Sequence, residues 1–254
     1  MENPDHLILC LSQPSLSPRD ETALLGAVLR AGKAQFGGPV TAIRLEGSGL
    51  SLPKAVQKAR ESGARHVRVQ PIGFPMAANI RAWLPGVVAH LTVAEDIRLS
   101  LADPSDPDAM AQALVTQALA ADMQDAASVR PSLGKAGWQF LPDFDLHIFI
   151  CAGPRCAFRG AGTLQTMLKA RLSAAGLTDR CLTTTTGCLF PCNQGPMIAV
   201  YPQGAWFHVP DEVALDRIVT DVLVAGGDAP DLRLTERPGS RRALSFSHID
   251  RSLS

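Results

Sequence analysis

Short apolar runs alternate with stretches of helical periodicity over the first 122 residues of the chain. Buried strands are predicted at residues 6–11, 40–45, 66–72 and 97–101. One helix is predicted after each strand. The first begins at the N-cap Ser17, the second at the N-cap Ser51, the third spans residues 78–90, and the fourth begins at Asp106. Helical crossovers make consecutive strands parallel and place helices on both faces of the sheet. The pattern therefore predicts a doubly wound α/β domain over residues 1–122, with a ligand crevice beyond the carboxyl ends of its strands.

A second, smaller α/β module is predicted over residues 145–228. Residues 123–144 separate it from the first as a linker, because prolines and glycines there interrupt any long element. Its predicted strands are 146–150 and 181–186, followed by a hairpin of 197–201 and 206–209, and its predicted helices are 162–175 and 211–224. Residues 229–254 carry more arginines than acids, and we interpret them as a flexible, solvated tail rather than a docking arm.

Composition narrows the classes of function. The 24 basic residues balance 24 acidic ones, which excludes a generally basic nucleic-acid binder. No apolar run approaches the roughly 18 residues that a membrane span needs, and the first residues do not resemble a signal peptide. We therefore expect a soluble, cytoplasmic protein without a nucleic-acid or membrane partner.

Four of the 6 cysteines crowd together in the second module with the spacing C-x4-C-x31-C-x3-C, at Cys151, Cys156, Cys188 and Cys192. Each pair follows an apolar strand and lies in a loop, so that two loops could direct two thiolates each toward one point. Four thiolates suit either a tetrahedral zinc ion or an iron-sulfur cluster, and the longer gaps favour a two-iron cluster over the tight zinc knuckle. A structural zinc site and reactive or disulfide-bonded cysteines stay open as alternatives.

The same region carries a family resemblance. Its pieces are the strand into Cys151–Cys156, the turn at Gly160–Gly162, Thr186–Cys192, Gly195-Pro196 and Val200–Gly204. In this order they resemble the thioredoxin-like [2Fe-2S] ferredoxins. The resemblance implies a thioredoxin-like fold, redox partner proteins, and a single [2Fe-2S] cluster that is ligated by the four cysteines and passes single electrons. Phe190 departs from the pattern, because the family commonly has glycine two residues after the third ligand, and we expect it to shield one side of the cluster loop.

Two arginines lie close to these cysteines in sequence. A diferric cluster with four thiolates carries a charge of about −2, so neighbouring cations favour its reduction. Arg155 and Arg159 are placed to act in this way, and the alternative is that they are plain surface charges.

The N-terminal module resembles the sirohydrochlorin chelatases, which insert cobalt or iron into a tetrapyrrole. The resemblance covers residues 6–122, one chelatase half. It is carried by the opening strand and helix and by residues 42–46, 50–55, 63–71 and 79–85. Single halves in that family pair as homodimers, which implies a homodimer here.

Both metal-handling histidines of the chelatases are absent. The first would stand in the segment Leu11–Pro14, and the second corresponds to Asn79. Histidine suits metal delivery and proton removal because its pKa lies near neutrality, whereas serine and asparagine lack such a base. The six histidines of the chain do not cluster in sequence. We therefore expect a domain that has lost chelation, with no catalytic residues assigned.

Its crevice is expected near Ser12, Glu46, Pro75 and Asn79. Phe74, Met76 and Trp83 could line it, although core packing is the simpler role for each.

Two hypotheses follow for the whole chain. The first is a [2Fe-2S] electron carrier joined to a chelatase-like domain that binds a tetrapyrrole, or a tetrapyrrole enzyme, in tetrapyrrole or cobalamin metabolism. The alternative is an enzyme, a cobalt or iron chelatase with an accessory cluster.

Overall fold

The computed structural model describes residues 3–13, 16–73, 76–104, 106–132, 134, 137 and 139–235. Pro14, Phe74, Pro75 and most of the predicted tail, from residue 236 onward, lie outside the described residues. The described chain forms two four-stranded sheets, in agreement with the predicted α/β class.

The first sheet is parallel, with the strand order β2-β1-β3-β4. Its strands are β1 (His6–Leu11), β2 (Val40–Arg44), β3 (His66–Ile72) and β4 (Arg98–Leu101). Its helices are α1 (Pro18–Gln35), α2 (Leu52–Glu61), α3 (Ala78–Ala94) and α4 (Pro107–Leu119). The predicted alternation of strand and helix is confirmed, and the largest difference is that α3 runs one turn beyond residue 90.

Helices cover both faces of this sheet. Ile8 and Cys10 of β1 pack in one core with the apolar residues of α2 and α3. The alternate residue Leu9 points to the opposite face. There α1 approaches so closely that a Cβ at Gly32 would lie 2.7 Å from the Leu9 side chain. The sheet is therefore doubly wound, as the sequence predicts.

The helix α4 differs from the other three. Asp106 caps it by accepting a hydrogen bond from the Asp108 amide, but none of its residues is buried. Leu114, Val115 and Leu119 are exposed. The apolar positions that predicted this helix therefore do not add to the core. The homodimer that the sequence predicts stays a prediction.

The second sheet is mixed, with the order β6-β5-β7-β8. Its strands are β5 (Leu146–Cys151), β6 (Cys181–Thr186), β7 (Met197–Tyr201) and β8 (Ala205–His208). Its helices are α5 (Pro154–Phe158), α6 (Leu164–Ala174) and α7 (Glu212–Arg217). The strand β5 pairs parallel with β6 and antiparallel with β7, and β7 and β8 form the predicted hairpin.

The core of the second sheet is built from alternate strand positions and two helices. Ile148 and Ile150 of β5 pack with Phe207 of β8 and with Leu168 of α6, and all four are almost fully buried. The predicted closing helix ends as an α-helix at Arg217 and continues as a π-helical segment, Ile218–Val224.

The described residues between the two sheets, from 123 to 144, are all exposed. They include one 3-10 turn, Ala126–Ser128. The domain boundaries placed there and at residue 228 stay predictions. In the described part of the chain, no helix is both long and apolar enough to cross a membrane.

The two sheets touch through the loop that follows β2. The Gly47 amide donates to the Ala152 carbonyl at 2.9 Å, which joins this loop to the end of β5. Gly162, in the turn before α6, lies against Gly49. A Cβ at Gly162 would stand 2.8 Å from the Gly49 carbonyl oxygen, so only glycine permits this approach.

We expect Gly162→Ala to destabilise the protein by about 1–3 kcal/mol, because the added methyl group meets backbone atoms that cannot rotate away. Gly37→Ala is the matched control, since a Cβ there has no atom within 4 Å. Urea unfolding of both variants measures the difference. Equal midpoints for the two would show that the sheets do not rest on each other at this point.

Candidate functional site

The four clustered cysteines lie at one edge of the second sheet. Cys151 is the last residue of β5 and pairs in register with Thr186, the last residue of β6. Because these strands are parallel, the loops that follow them leave from the same edge. One loop leads directly into α5, which contains Cys156, and the other contains Cys188 and Cys192.

The sulfur atoms are neighbours. The Cys188 and Cys192 Sγ atoms are 3.2 Å apart. The Cys156 thiol donates to the Cys151 sulfur, which also accepts from the Leu189 amide at 3.5 Å and contacts the Cys188 side chain. The structure thus brings the four predicted residues together as two sulfur pairs, one from each loop.

Two glycines allow the loops to come this close. A Cβ at Gly153 would lie 2.9 Å from the Cys188 Cα. A Cβ at Gly195 would overlap the Cys156 sulfur. Any larger residue at either position would push a sulfur away from its neighbours.

The protonation of the thiols reflects this crowding. The Cys156 hydrogen bond and the Leu189 amide lower the pKa of Cys151 to about 6. The same hydrogen bond raises the pKa of Cys156, since that thiol donates it. Burial and then the Cys192 thiol raise the pKa of Cys188. A readily ionised Cys151 beside the Cys156 and Cys188 thiols, whose pKa values are raised, fits a site completed by cationic metal, since metal binding releases thiol protons.

These residues fit a binuclear iron cluster, since each loop supplies two soft sulfur ligands in contact with each other. Among the described residues, no group of three or more His, Cys, Asp or Glu side chains is placed so that it could hold a single metal ion.

Both predicted arginines reach the loop that contains Cys188 and Cys192, which we call the second cysteine loop. Arg155 directs Nη1 toward the Cys192 sulfur at 3.9 Å. Arg159 donates from Nη1 to the carbonyl oxygens of Cys192 at 2.8 Å and of Gly195 at 3.2 Å. They are therefore part of the site rather than plain surface charges.

The predicted crevice residues are only partly gathered. The Ser12 hydroxyl donates to Glu46 Oε1 at 2.8 Å, and both residues are buried. Glu46 Oε2 is buried without a hydrogen-bond partner, and burial raises the pKa of this carboxyl. Asn79 lies exposed in the first turn of α3, and Met76 packs in the core.

Sequence reasoning missed a buried ion pair beside this crevice. Arg44 forms an ion pair with Glu21 at 3.0 Å and donates to the Gln13 carbonyl at 2.6 Å. Gly47 makes room for the guanidinium, since a Cβ there would lie 2.6 Å from Arg44 Nη1. The signal in the sequence that could have predicted this ion pair was the position of Arg44, a charged residue at the end of a predicted strand.

Three of the histidines have structural roles. His6, His66 and His147 lie at or near the starts of strands and bond to Thr41, Ser100 and Thr184 on neighbouring strands. This agrees with the prediction that His66 and His147 simply begin strands.

Phe190 does not shield the cysteine loop as expected. Its side chain is 76% exposed, and Cys188 is exposed as well. Its backbone adopts φ 47°, in the left-handed region that favours glycine. The loop therefore keeps the conformation of a glycine at a position where this chain carries phenylalanine.

We expect Phe190→Gly to be more stable than Phe190→Ala by about 1 kcal/mol, because a left-handed conformation costs a residue with a Cβ about 1–2 kcal/mol. Both variants remove the exposed ring, so the comparison isolates the backbone. Urea unfolding gives the difference, and an alanine variant as stable as the glycine variant would contradict the expectation.

Comparison with known proteins finds relatives that match a quarter to a third of the chain. No family model matches the chain. A [2Fe-2S] ferredoxin of Clostridium pasteurianum is 29% identical over 69 residues, which make up 24% of this chain and 68% of the relative. A [2Fe-2S] ferredoxin of Aquifex aeolicus is 30% identical over 89 residues, which make up 32% of this chain and 80% of the relative.

Two solved structures are each similar to part of the chain. The crystal structure of the thioredoxin-like [2Fe-2S] ferredoxin from Aquifex aeolicus, with 26% identity and a TM-score of 0.34, covers 37% of this chain and 100% of its own. A protein named for cobalamin biosynthesis, the CbiX protein from Marinobacter aquaeolei VT8, has 19% identity and a TM-score of 0.38 and covers 45% of this chain and 97% of its own. Since the Aquifex sequence relative is 30% identical over 80% of its length, the chain belongs, through these residues, to the [2Fe-2S] ferredoxins.

Proposed function

We propose that Cys151, Cys156, Cys188 and Cys192 hold the [2Fe-2S] cluster of this ferredoxin, one loop pair to each iron. The observation that carries the proposal is the pairing of the four sulfurs at one sheet edge, with 3.2 Å between those of Cys188 and Cys192. When bound, the cluster supplies reversible one-electron transfer, and membership of the ferredoxin family implies redox partners.

The surrounding residues control access and charge. Cys151 and Cys156 are almost fully buried, whereas Cys188 is exposed. The second cysteine loop therefore offers the shortest route for electron transfer to a partner. Arg155 and Arg159 place positive charge beside this loop and favour acceptance of an electron there.

We expect anaerobically purified protein to show broad visible absorption and to contain about two irons per chain. Alanine at any of the four cysteines removes a ligand, and we expect it to abolish most of this absorption. Cys181→Ala is the matched control, because Cys181 is a buried thiol outside the site. A colourless protein that contains zinc would overturn the proposal.

The first sheet is proposed to bind a tetrapyrrole, or a tetrapyrrole enzyme, close to the cluster. Parallel sheets bind ligands beyond the carboxyl ends of their strands, where Ser12 and Glu46 lie. The Gly47 amide binds the Ala152 carbonyl, so the loop after Glu46 adjoins the residue after Cys151. A ligand at this edge would lie near the cysteine loops, which suits electron delivery in tetrapyrrole or cobalamin metabolism.

Glu46 supports a second candidate function, a cobalt or iron chelatase with an accessory cluster. Its buried Oε2 has no hydrogen-bond partner and its pKa is raised by burial, as suits a group that exchanges protons. Ser12 and Asn79, at the histidine positions of the chelatases, weigh against this candidate.

Titration with sirohydrochlorin distinguishes the candidates. We expect a saturable change in the tetrapyrrole spectrum without faster metal insertion, because the chain lacks the two histidines. Accelerated metallation by cobalt or iron that is lost in Glu46→Gln would establish the enzyme instead. The absence of any spectral change, with sirohydrochlorin and with a cobalt corrinoid, would contradict tetrapyrrole binding.

A further inference from the structure

Trp83 connects the first sheet to the helix that carries one of the cysteines. It lies half-buried in α3, and its ring meets Phe158 edge to face, with 5.8 Å between the ring centroids. The Arg155 guanidinium stands over the same ring, 5.4 Å from its centroid. Both contacts belong to α5, where Arg155 and Phe158 flank Cys156 in sequence.

Arg155 joins this aromatic contact to the cysteine loop. The guanidinium that lies over Trp83 also directs Nη1 toward the Cys192 sulfur at 3.9 Å. Among the described residues, no carboxylate forms an ion pair with Arg155, whereas Arg171 on α6 is paired with Glu212 and Asp216. The ring face is therefore the main contact that restrains the arginine against the sulfur.

We propose that Trp83 is a positioning residue that raises the reduction potential of the cluster by holding Arg155 against Cys192. This inference rests on the proposed ligation of the cluster by the four cysteines. A cation beside a ligand sulfur favours the more negative, reduced state, and its effect falls when the side chain moves into solvent. A guanidinium stacks on an aromatic face in a way that the lysine ammonium does not reproduce.

The same helix carries Asn79, an exposed position that the sequence assigns to the crevice. Asn79 and Trp83 are four residues apart in α3 and share one helix face. A ligand that contacts Asn79 and shifts this helix therefore moves the support of Arg155. By linkage, reduction of the cluster then changes the affinity for that ligand by the same factor.

The test is a double-mutant cycle with Trp83→Leu, Arg155→Gln and both together, read as the reduction potential by spectroelectrochemistry. We expect Arg155→Gln to make the cluster about tenfold harder to reduce, which is about 59 mV for one electron. Trp83→Leu should make it about threefold harder to reduce, as the arginine leaves the sulfur. The double variant should match Arg155→Gln, because Trp83 acts only through the arginine.

Arg155→Lys is the variant that keeps the test decisive if Trp83→Leu fails to fold. It keeps the charge but loses the stacking, and we expect its potential to fall toward that of Arg155→Gln. Arg171→Gln removes the same charge from a helix outside the site and should leave the potential unchanged.

Three results would overturn the inference: a wild-type potential in Trp83→Leu, a wild-type potential in Arg155→Lys, or additive effects in the double variant. They differ from failure of the proposed function, in which the wild-type protein itself shows no cluster absorption.

Discussion

Two short loops must approach each other within van der Waals distance for the four cysteine sulfurs to meet. The parallel register of β5 and β6 ends both strands at one edge, and Gly153 and Gly195 remove the side chains that would keep the loops apart. The cost of gathering thiols appears in their opposed proton affinities, with Cys151 inclined to ionise and Cys156 to stay protonated. Bound cationic metal relieves this conflict, so the geometry of the loops and the chemistry of the cofactor depend on each other.

The first sheet contributes to the same edge from the other side. Its loop after β2 rests on the end of β5, and α3 supports the arginine that reaches the second cysteine loop. The buried ion pair between Arg44 and Glu21 lies next to that loop and stabilises it. The environment of the cysteines therefore includes residues from both halves of the chain, although the ferredoxin relatives match only a quarter to a third of it.

Hydrophobic periodicity predicts the elements of this fold well because burial imposes a period of about 2 on strands and 3.6 on helices. It predicts the four cysteines as a set because each pair follows a predicted strand. It cannot predict contacts between distant segments: Trp83 packs against the core of the first sheet, as its apolar ring suggests, and its contact with the Arg155 guanidinium comes in addition. Nor does periodicity distinguish a packed helix from a bare one, as α4 shows. The left-handed backbone at Phe190 is set by the loop and not by the residue that occupies it.

The hydrogen bond between Gly47 and Ala152 uses only main-chain atoms. Mutations that replace side chains around it leave its donor and acceptor in place, so the two halves can stay in register while their ligand-binding residues diverge. Selection on this junction would then be visible mainly as retained glycines, at Gly47 with its φ of 89° and at Gly162 against Gly49. Halves joined through main-chain atoms can therefore change the side chains of one half without losing the alignment of the other.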